Sequence, residues 1–346
     1  MKTLVLFPVS SYTVPGPSEY YKDLEETVMN ISLLEPLGVP AETIENLSAW
    51  IKAQGHTFTY YDTKTTDVEE LKRRSAGQDV VMIANNPYPD EVVRAADSLK
   101  LLAVAFTGID HVGLAACKEK GVTVCNCAGY SNVCVAEQVI GMVISLLRYF
   151  PVCDKTVREG GTSAGLAGME IAGKTVGIIG CGQIGFRTAK LFQAFGAKVL
   201  AYARHERDEV KAAGIEYVPL DQLLAESDIV SLHTPNNAET RGMIGREQIA
   251  KMKTTAYFIN CARGPIVDNA ALAEALNDGA IAGAAIDVFD MEPPIPADYP
   301  LLSAKNTLLT PHVAFLTKEA MVRRADIEFA NVVAFLEGKP ENVCIL

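Results

Sequence analysis

Short apolar runs alternate with longer segments of mixed polarity along most of the chain. The runs are rich in Val, Ile, Leu and Ala, which is typical of buried strands, whereas the longer segments have the length of helices. Strands are predicted at residues 3–7, 79–84, 101–106, 122–125, 175–179, 198–202, 229–232, 256–259, 284–288 and 307–309. Helices are predicted at residues 90–98, 133–149, 184–195, 221–225, 268–277 and 318–336. Continuous apolar strands that alternate with helices predict parallel sheets covered by helices on both faces.

Local signals sharpen this prediction at three places. Asp221 and Asp268 are predicted to cap their helices, because an Asp oxygen can accept a hydrogen bond from an unpaired amide at a helix start. Residues 159–168 are rich in Gly, Ser, Thr and Ala, which predicts a flexible connector. The final helix, at 318–336, follows the last strand with no further strand after it. This order is consistent with a chain that leaves one lobe, builds a second and returns.

Composition and charge limit the classes of protein to consider. A length of 346 residues predicts two domains, and 49% apolar with 21% charged residues excludes wholesale disorder. A net charge of −11 argues against a general nucleic-acid or anionic-membrane surface. The longest mostly apolar stretch, residues 135–147, contains Glu137 and Gln138 and is too short to span a bilayer. We therefore expect neither a nucleic acid nor a membrane as partner.

The cysteines indicate no metal site. None of the eight forms a CxxC pair, and no histidine cluster accompanies them. The apolar run at 3–7 is too short for a signal peptide. We therefore expect reduced thiols in a cytoplasmic protein.

The sharpest local motif is GCGQIG at residues 180–185, directly after the strand predicted at 175–179. A second predicted strand follows at 198–202, which completes the context of a dinucleotide site; a purely structural glycine turn is the alternative. In a dinucleotide site the glycines permit a tight turn and close approach of backbone amides to the pyrophosphate, and the helix N-terminus favours the phosphates. The predicted cofactor contacts of this motif are Gly180, Gly182, Gln183, Ile184 and Gly185.

The end of the strand at 198–202 bears on the choice of dinucleotide. An acidic residue there would hydrogen-bond the ribose 2′-OH of NAD, but the sequence has Ala203, followed by Arg204. A guanidinium can bind a 2′-phosphate, so we predict that NADP(H) is favoured over NAD(H), with His205 as a candidate second contact. The alternative is that Arg204 and Arg207 are solvated surface charges and that NAD binds without the carboxylate.

Three further segments each place one functional side chain just after a predicted strand. They are NCARGPIVD at 260–268, GAAIDVFDMEP at 283–293 and LTPHVAF at 309–315. Their side chains Arg263, Glu292 and His312 supply an anion receptor, a carboxylate and an imidazole. Each residue alone has a structural reading, but ligands bind at the carboxyl edge of open α/β sheets, where all three are expected. The set is the minimum for hydride transfer to a 2-keto acid.

Together with the glycine motif, these segments closely resemble the D-isomer-specific 2-hydroxyacid dehydrogenase family. The resemblance extends from about residue 101 to residue 336 and includes TGIDHV at 107–112 and GKTVGI at 173–178. It implies an α/β fold with two Rossmann-like, doubly wound parallel-sheet domains, the cofactor domain being inserted in the substrate domain. The implied substrate-binding (catalytic) domain comprises residues 1–131 and 316–346, and the implied dinucleotide-binding Rossmann domain comprises residues 132–315.

The resemblance also implies roles for individual residues. Arg263 would hold the substrate carboxylate, helped by backbone amides around Gly108. His312 would donate a proton to the carbonyl oxygen as hydride arrives, and Glu292 would orient His312 and favour its protonated form. Asp287 would meet the nicotinamide carboxamide. Further cofactor contacts would come from Thr234, Pro235, Thr240 and Cys261.

The leading hypothesis is an NAD(P)-dependent D-2-hydroxyacid dehydrogenase that works mainly as a 2-keto acid reductase. A glyoxylate/hydroxypyruvate reductase is a close rival with the same chemistry and a smaller or more polar pocket. A dinucleotide-sensing corepressor is the non-catalytic alternative, because such proteins retain similar residues. The resemblance implies a homodimer, with the helix at 133–149 as a candidate surface. Residues 8–12 are expected to line the pocket for the substrate side chain.

Overall fold

The structure, a computed structural model, describes residues 28–346. The strand predicted at 3–7 and the pocket segment predicted at 8–12 lie outside the described residues. The first sheet is formed by the strands β1 (Asn30–Leu33), β2 (Thr57–Tyr60), β3 (Val80–Ile83), β4 (Leu101–Val104) and β5 (Thr123–Asn126). These strands are parallel, in the spatial order β2-β1-β3-β4-β5. Their helices are α1 (Ala41–Ala53), α2 (Val68–Ser75), α3 (Asp90–Ala95) and α4 (Leu114–Lys120).

The second sheet is also parallel and has seven strands. They are β6 (Thr175–Ile179), β7 (Lys198–Tyr202), β8 (Glu216–Tyr217), β9 (Ile229–Leu232), β10 (Tyr257–Asn260), β11 (Gly283–Ile286) and β12 (Thr307–Leu309). Their spatial order is β12-β11-β10-β9-β6-β7-β8, so the order reverses between β6 and β9. In open α/β sheets such a reversal opens the crevice in which a ligand binds.

The remaining helices cover the second sheet or complete the first lobe. They are α5 (Asn132–Leu147), α6 (Phe150–Arg158), α7 (Gln183–Ala194), α8 (Asp208–Ala212), α9 (Leu220–Glu226), α10 (Arg246–Ala250), α11 (Asn269–Asn277) and α12 (Lys318–Leu336). Helix α5 packs against α7, whereas α12 packs against β4 and α1. The core around the first sheet accordingly gathers buried residues from 31–135 and from 314–332, and the buried residues between them form two clusters around the second sheet.

Most of the predicted elements that fall on described residues are confirmed. Strands β6, β7, β9 and β12 and helix α12 have the predicted bounds, and the other predicted strands shift by one or two residues. Asp268 caps α11 as predicted, because its carboxylate accepts a hydrogen bond from the N–H of Ala271 at 3.0 Å. Residues 159–168 contain neither helix nor strand.

Two local predictions are wrong. Asp221 does not cap its helix, because α9 begins one residue earlier, at Leu220, with Pro219 before it. The helix predicted at 133–149 ends at Leu147, and Tyr149 has a left-handed φ of 54° that turns the chain into α6. Within residues 28–346, no single helix has the length and apolar character to cross a bilayer; only the bent pair α5 and α6, taken together, would meet that test.

Short or polar elements escaped the sequence pattern. Strand β1 begins with a polar residue, β2 alternates between exposed and half-buried positions, and β8 has two residues. The sequence analysis also missed α1, α2, α4, α6, α8 and α10. Helix α1 buries only Ile44, Ser48 and Ile51, so its apolar stripe is sparse.

Candidate active site

The strand order explains why the three predicted catalytic side chains meet. Strands β10, β11 and β12 are parallel neighbours, and Arg263, Glu292 and His312 follow them in turn. The carboxyl ends of parallel neighbours lie at one edge of the sheet. Arg263 and His312, which are 49 positions apart in sequence, therefore lie at the same edge of the sheet.

His312 and Glu292 form a hydrogen-bonded pair. The imidazole Nδ1 lies 2.9 Å from each carboxylate oxygen of Glu292. The His312 side chain is 12% exposed and that of Glu292 65%, so the imidazole is shielded while its partner meets solvent. The hydrogen bond with His312 lowers the pKa of Glu292 below its ordinary value. An ionised Glu292 at Nδ1 leaves Nε2 as the imidazole nitrogen that can exchange a proton with a substrate.

The backbone of His312 is held in an unusual conformation. Its φ is 56°, in the left-handed region that costs energy for a side chain other than glycine. The neighbouring strand β11 leads into Asp287, whose carbonyl accepts the His312 N–H at 2.8 Å. The Asp287 carboxylate accepts three more hydrogen bonds, from the Thr310 hydroxyl at 2.5 Å and from the N–H groups of Val313 and Ala314 at 2.9 Å.

Asp287 is fully buried, and its hydrogen bonds anchor the loop that carries His312. Burial raises the pKa of its carboxyl group, and the hydrogen bonds from the loop oppose that rise. The predicted contact with a nicotinamide carboxamide would have to share oxygens that the loop already uses. The position of Asp287 beside His312 nevertheless keeps it at the same edge of the sheet.

Aromatic rings enclose the imidazole. The rings of Phe106 and Phe315 meet His312 edge to face, at centroid distances of 5.9 and 5.2 Å, and contact each other at 5.0 Å. Phe106 comes from the loop after β4, in the first sheet, so the two lobes meet at His312. Apolar walls of this kind exclude water and strengthen the electrostatic interactions inside them.

The turn that presents Arg263 is shaped by its own side chains. Asn260 accepts a hydrogen bond from the N–H of Ala262 at 3.0 Å and donates one to the carbonyl of Arg263 at 3.0 Å. Gly264 follows, and a Cβ there would overlap the carbonyl of Phe289. Only glycine therefore allows the Arg263 turn to approach the loop between β11 and Glu292.

The guanidinium of Arg263 reaches across the cleft to the loop after β4. Its Nε donates to Asp110 Oδ1 at 3.2 Å, its Nη1 donates to its neighbour Ala262 at 2.8 Å, and its centre lies 5.6 Å from the Phe106 ring centroid. Nη2 lies against Gly108, where an added Cβ would overlap it. The structure thus brings together Gly108, Arg263, Glu292 and His312 as the sequence predicted. The sequence analysis missed the part of Asp110, which is 153 positions from Arg263.

The glycine motif forms a cradle at the reversal of the strand order. Gly180 has a φ of 92°, and a Cβ there would crowd the backbone of His233 and Thr234. A Cβ on Gly185 would overlap the carbonyl of Gly180, whereas Gly182 faces open space at the start of α7, at Gln183 and Ile184. Within residues 28–346, no side chain caps the first amides of α7, which suits them to phosphate oxygens.

The loop after β9 adds unpartnered polar groups beside this cradle. The Thr234 hydroxyl and the Asn236 amide oxygen are buried without a hydrogen-bond partner among the described residues. Thr240 closes the loop by donating to the Pro235 carbonyl at 2.5 Å. Orphaned polar atoms next to a glycine cradle fit a dinucleotide, which would supply the missing partners. Burial lowers the pKa of His233 to about 4, so that this histidine is neutral in the loop.

The remaining predicted contacts lie at two ends of the crevice. Arg204 follows β7, is exposed, and forms an ion pair with Glu239 of the loop after β9. Arg207 is paired with Glu209 and donates to the Cys181 carbonyl in the glycine motif at 3.4 Å. At the opposite end, the Cys261 thiol lies 3.5 Å from the Met142 sulfur of α5, and burial raises its pKa well above the ordinary value.

Known proteins are similar to this chain in sequence and in architecture. The family model for the D-isomer specific 2-hydroxyacid dehydrogenase, NAD binding domain, matches residues 140–314. A hydroxypyruvate reductase of Blautia hydrogenotrophica is 36% identical over 300 residues, covering 85% of this chain and 93% of that protein. A glycerate dehydrogenase of Methylorubrum extorquens is 40% identical over 301 residues, covering 83% and 92%.

Solved structures agree. A D-lactate dehydrogenase from Aquifex aeolicus, complexed with NAD and lactic acid, is 30% identical and superposes with a TM-score of 0.78 over 90% of this chain and 96% of that one. An acyclic imino acid reductase, Bsp5, in complex with NADPH and D-Arg, is 28% identical, with a TM-score of 0.83 over 92% and 100%. The chain belongs to the D-isomer-specific 2-hydroxyacid dehydrogenase family and is an oxidoreductase that uses a nicotinamide dinucleotide.

Proposed function

We propose that this enzyme reduces a small 2-keto acid to the D-2-hydroxy acid, with NADPH as the preferred cofactor and His312 as the proton donor. The observation that carries the proposal is the His312–Glu292 pair, which lies beside the Arg263 guanidinium with Phe106 in contact with both His312 and Arg263. Arg263, an anion receptor, and His312, a proton donor, both contact the Phe106 ring. This arrangement suits a substrate whose carboxylate is bonded to its carbonyl carbon.

The residues divide the work of reduction among them. The nicotinamide supplies the hydride when the cofactor is bound. Arg263 binds the substrate carboxylate and fixes the orientation of the adjacent carbonyl, which supplies much of the rate enhancement through positioning. His312 gives its Nε2 proton to the carbonyl oxygen, and Glu292 stabilises the imidazolium through Nδ1. In the reverse direction His312 removes the proton from the hydroxyl group.

The preference for NADPH rests on the charges at the end of β7. Ala203 stands where a carboxylate would repel a 2′-phosphate, and Arg204, His205 and Arg207 follow it. Arg204 is already engaged by Glu239, so a 2′-phosphate has to displace that carboxylate. A doubly charged phosphate competes well for a guanidinium that is 68% exposed, because two ionic oxygens bind it bidentately.

Glyoxylate and hydroxypyruvate are the first substrates to test. Relatives named hydroxypyruvate reductase, glyoxylate reductase and glycerate dehydrogenase match most of this chain. The corepressor alternative predicts dinucleotide binding without turnover.

One assay separates these functions. The purified enzyme is mixed with NADPH or NADH and, in turn, glyoxylate, hydroxypyruvate, pyruvate and a branched-chain 2-keto acid, and the loss of absorbance at the nicotinamide band is followed. The proposal predicts turnover with at least one keto acid and a higher kcat/KM for NADPH. Binding of cofactor without turnover of any keto acid contradicts it and favours a sensor, and a higher kcat/KM for NADH refutes the cofactor preference alone.

We further propose a homodimer. Helix α6 buries none of its residues, and Phe150, Val152 and Val157 on it are 52%, 51% and 74% exposed. Three large apolar side chains on one short helix mark an interaction surface, and α6 continues directly from α5, the expected interface. Light scattering after gel filtration should give twice the chain mass of 37.2 kDa, and Phe150→Glu with Val157→Glu should give the monomer.

The domain limits and location of the protein complete the proposal. We place the domain crossings near residues 131 and 316. The buried residues of the first core end at Val135 and resume at Ala314, and the cores of the second sheet lie between them. All eight cysteines are unpaired, which suits a reducing compartment such as the cytoplasm. A fluorescent fusion in the source cell tests the location.

A further inference from the structure

Asp110 lies opposite Arg263, on the other wall of the cleft. It belongs to the loop after β4 of the first sheet, and Arg263 to the loop after β10 of the second. Its Oδ1 accepts a hydrogen bond from Arg263 Nε at 3.2 Å. Among the described residues, it is the one carboxylate within 4.0 Å of this guanidinium.

The hydrogen bonds of Arg263 leave a defined part of the guanidinium for a substrate. A guanidinium has five N–H donors in a plane. Nε is engaged by Asp110, and one N–H of Nη1 is engaged by the Ala262 carbonyl. The other N–H of Nη1 and both N–H groups of Nη2 have no hydrogen-bond acceptor among residues 28–346 and remain for a carboxylate, which needs two such donors for a fork of parallel hydrogen bonds.

Two neighbours keep this arrangement in one plane. The Phe106 ring lies 5.6 Å from the guanidinium centre, which restrains its tilt. A Cβ on Gly108 would overlap Arg263 Nη2 and would lie 2.8 Å from Asp110 Oδ1. The absence of a side chain at Gly108 therefore provides the space that the ion pair occupies. The ion pair is therefore packed against the backbone at Gly108, whose amides are expected to help hold the substrate carboxylate.

We propose that Asp110 is a positioning residue for substrate binding: its carboxylate holds Nε of Arg263 and so orients the two Nη groups toward the substrate carboxylate. This inference rests on the proposed function, because it assigns Arg263 to the same 2-keto acid. Asp110 does not touch the reacting atoms. Its effect is to reduce the number of orientations that Arg263 adopts before the substrate arrives.

The position of the pair argues against a mainly structural role. The Asp110 and Arg263 side chains are 37% and 22% exposed, and ion pairs with this degree of exposure contribute little to folding. Loss of the pair should therefore change substrate binding far more than it changes the unfolding temperature. A competing possibility is that the Asp110 charge repels the substrate carboxylate, in which case its removal should improve binding.

The test compares Asp110→Ala with Asp110→Asn, which keeps an oxygen acceptor for Nε. For Asp110→Ala we expect KM for the keto acid to rise by about 10- to 100-fold and the Kd for oxamate in the presence of NADPH to rise in parallel. Asp110→Asn should restore most of both values, and the Kd for NADPH alone should stay within about threefold of wild type in each variant. Asp97→Ala, which removes an exposed ion pair with Lys120 of α4, is the matched control and should change none of these values.

A double substitution isolates the pathway through Arg263. In an Arg263→Ala background, Asp110→Ala should have almost no further effect, because the group that it positions is gone. Equal effects of Asp110→Ala with and without Arg263 would overturn the proposal, as would tighter oxamate binding or an unchanged KM in Asp110→Ala.

The two proposals fail in distinguishable ways. If the wild-type enzyme binds oxamate but turns over no keto acid, the reductase function fails while the oxamate measurements still decide the role of Asp110. If the wild-type enzyme turns over a keto acid and Asp110→Ala equals it, only the role of Asp110 fails. Absence of both oxamate binding and turnover in the wild-type enzyme overturns both.

Discussion

The N–H of His312 donates a hydrogen bond to the carbonyl of Asp287 at 2.8 Å. Asp287, which follows β11, thus holds His312 in the loop after the neighbouring strand β12. The same Asp287 accepts from Val313 and Ala314 through its carboxylate. The left-handed φ of 56° at His312 is kept by these bonds on both sides of the histidine. The proton donor is thus held by a buried carboxylate as well as by Glu292 at its ring.

Asp287→Asn tests this anchor. An amide cannot accept at both ends, so one N–H of the 313–314 pair would lose its acceptor, which costs about 1–3 kcal/mol. We expect a lower kcat and a lower unfolding temperature, with the Kd for the cofactor little changed. Asp278→Asn, at an exposed position, is the control. A large rise in cofactor Kd with unchanged kcat would instead favour the nicotinamide contact.

His312→Ala should remove general acid catalysis and lower kcat by a factor of about 10²–10⁴, with nearly unchanged affinity for the cofactor.

Glu292→Gln should act through pH. Because the hydrogen bond with His312 lowers the pKa of Glu292, the carboxylate is ionised above that pKa and its stabilising effect is lost only as pH falls through it. Because the variant has no carboxyl group there to protonate, the acid limb of kcat/KM for reduction that Glu292 gives the wild type should be absent in Glu292→Gln. An acid limb that persists in the variant would contradict the pairing.

Gly108→Ala should displace the Arg263 guanidinium, since the added Cβ would overlap Nη2. We expect KM for the keto acid to rise by about tenfold or more, because the carboxylate fork loses its position. Gly245→Ala is the matched control: it precedes α10, and its Cβ would meet only ordinary contacts, the nearest at 3.6 Å. Steady-state kinetics on both variants decide the matter, and equal KM values would refute the placement of Arg263.

Arg204→Ala should lower kcat/KM for NADPH by about 10- to 100-fold, the value of one charge-assisted hydrogen bond, and leave NADH unaffected. Glu239→Gln should raise the ratio of kcat/KM for NADPH to kcat/KM for NADH, because it releases Arg204 from its ion pair. Arg73→Ala, which breaks an exposed ion pair on α2, controls for the loss of a surface cation. A ratio that does not change in Arg204→Ala would mean that Arg204 is a solvated charge.

Glu328→Gln should stabilise the protein near neutral pH. Glu328 is fully buried on α12, neither carboxylate oxygen has a hydrogen bond among the described residues, and burial raises its pKa well above the ordinary value. A raised pKa in the folded state means that stability is complete below the unfolded pKa and is lost as pH rises through the folded pKa. The gain at pH 8 should be about 1–3 kcal/mol in urea unfolding and should vanish near pH 4. Glu337→Gln, exposed at the end of the same helix, should show no such dependence.

Local signals in the sequence were sufficient where one segment contains the whole feature. Strand β6, the glycine motif and α7 form one continuous stretch, so both the secondary structure and the cradle follow from residues 175–194. The Asp268 cap has its partner three residues away and was predicted correctly. The Asp221 cap failed because Pro219 starts α9 earlier. Strand β2 was missed because it lies at the edge of its sheet with alternating exposed and half-buried positions, and β1 because only Ile31 and Leu33 of its four residues are apolar.

The sequence by itself determined the alternation of apolar strands with helices, the glycine cradle and the residue types Arg263, Glu292 and His312. Each of these depends on neighbours within one turn or one strand. The tertiary structure alone decided the partners: Asp110 for Arg263 across 153 positions, Glu239 for Arg204 across 35 and Asp287 for the His312 loop across about 26. Such pairs join loops from different strands, and only the order and register of the sheets bring those loops to the same edge. No periodicity along the chain contains that information.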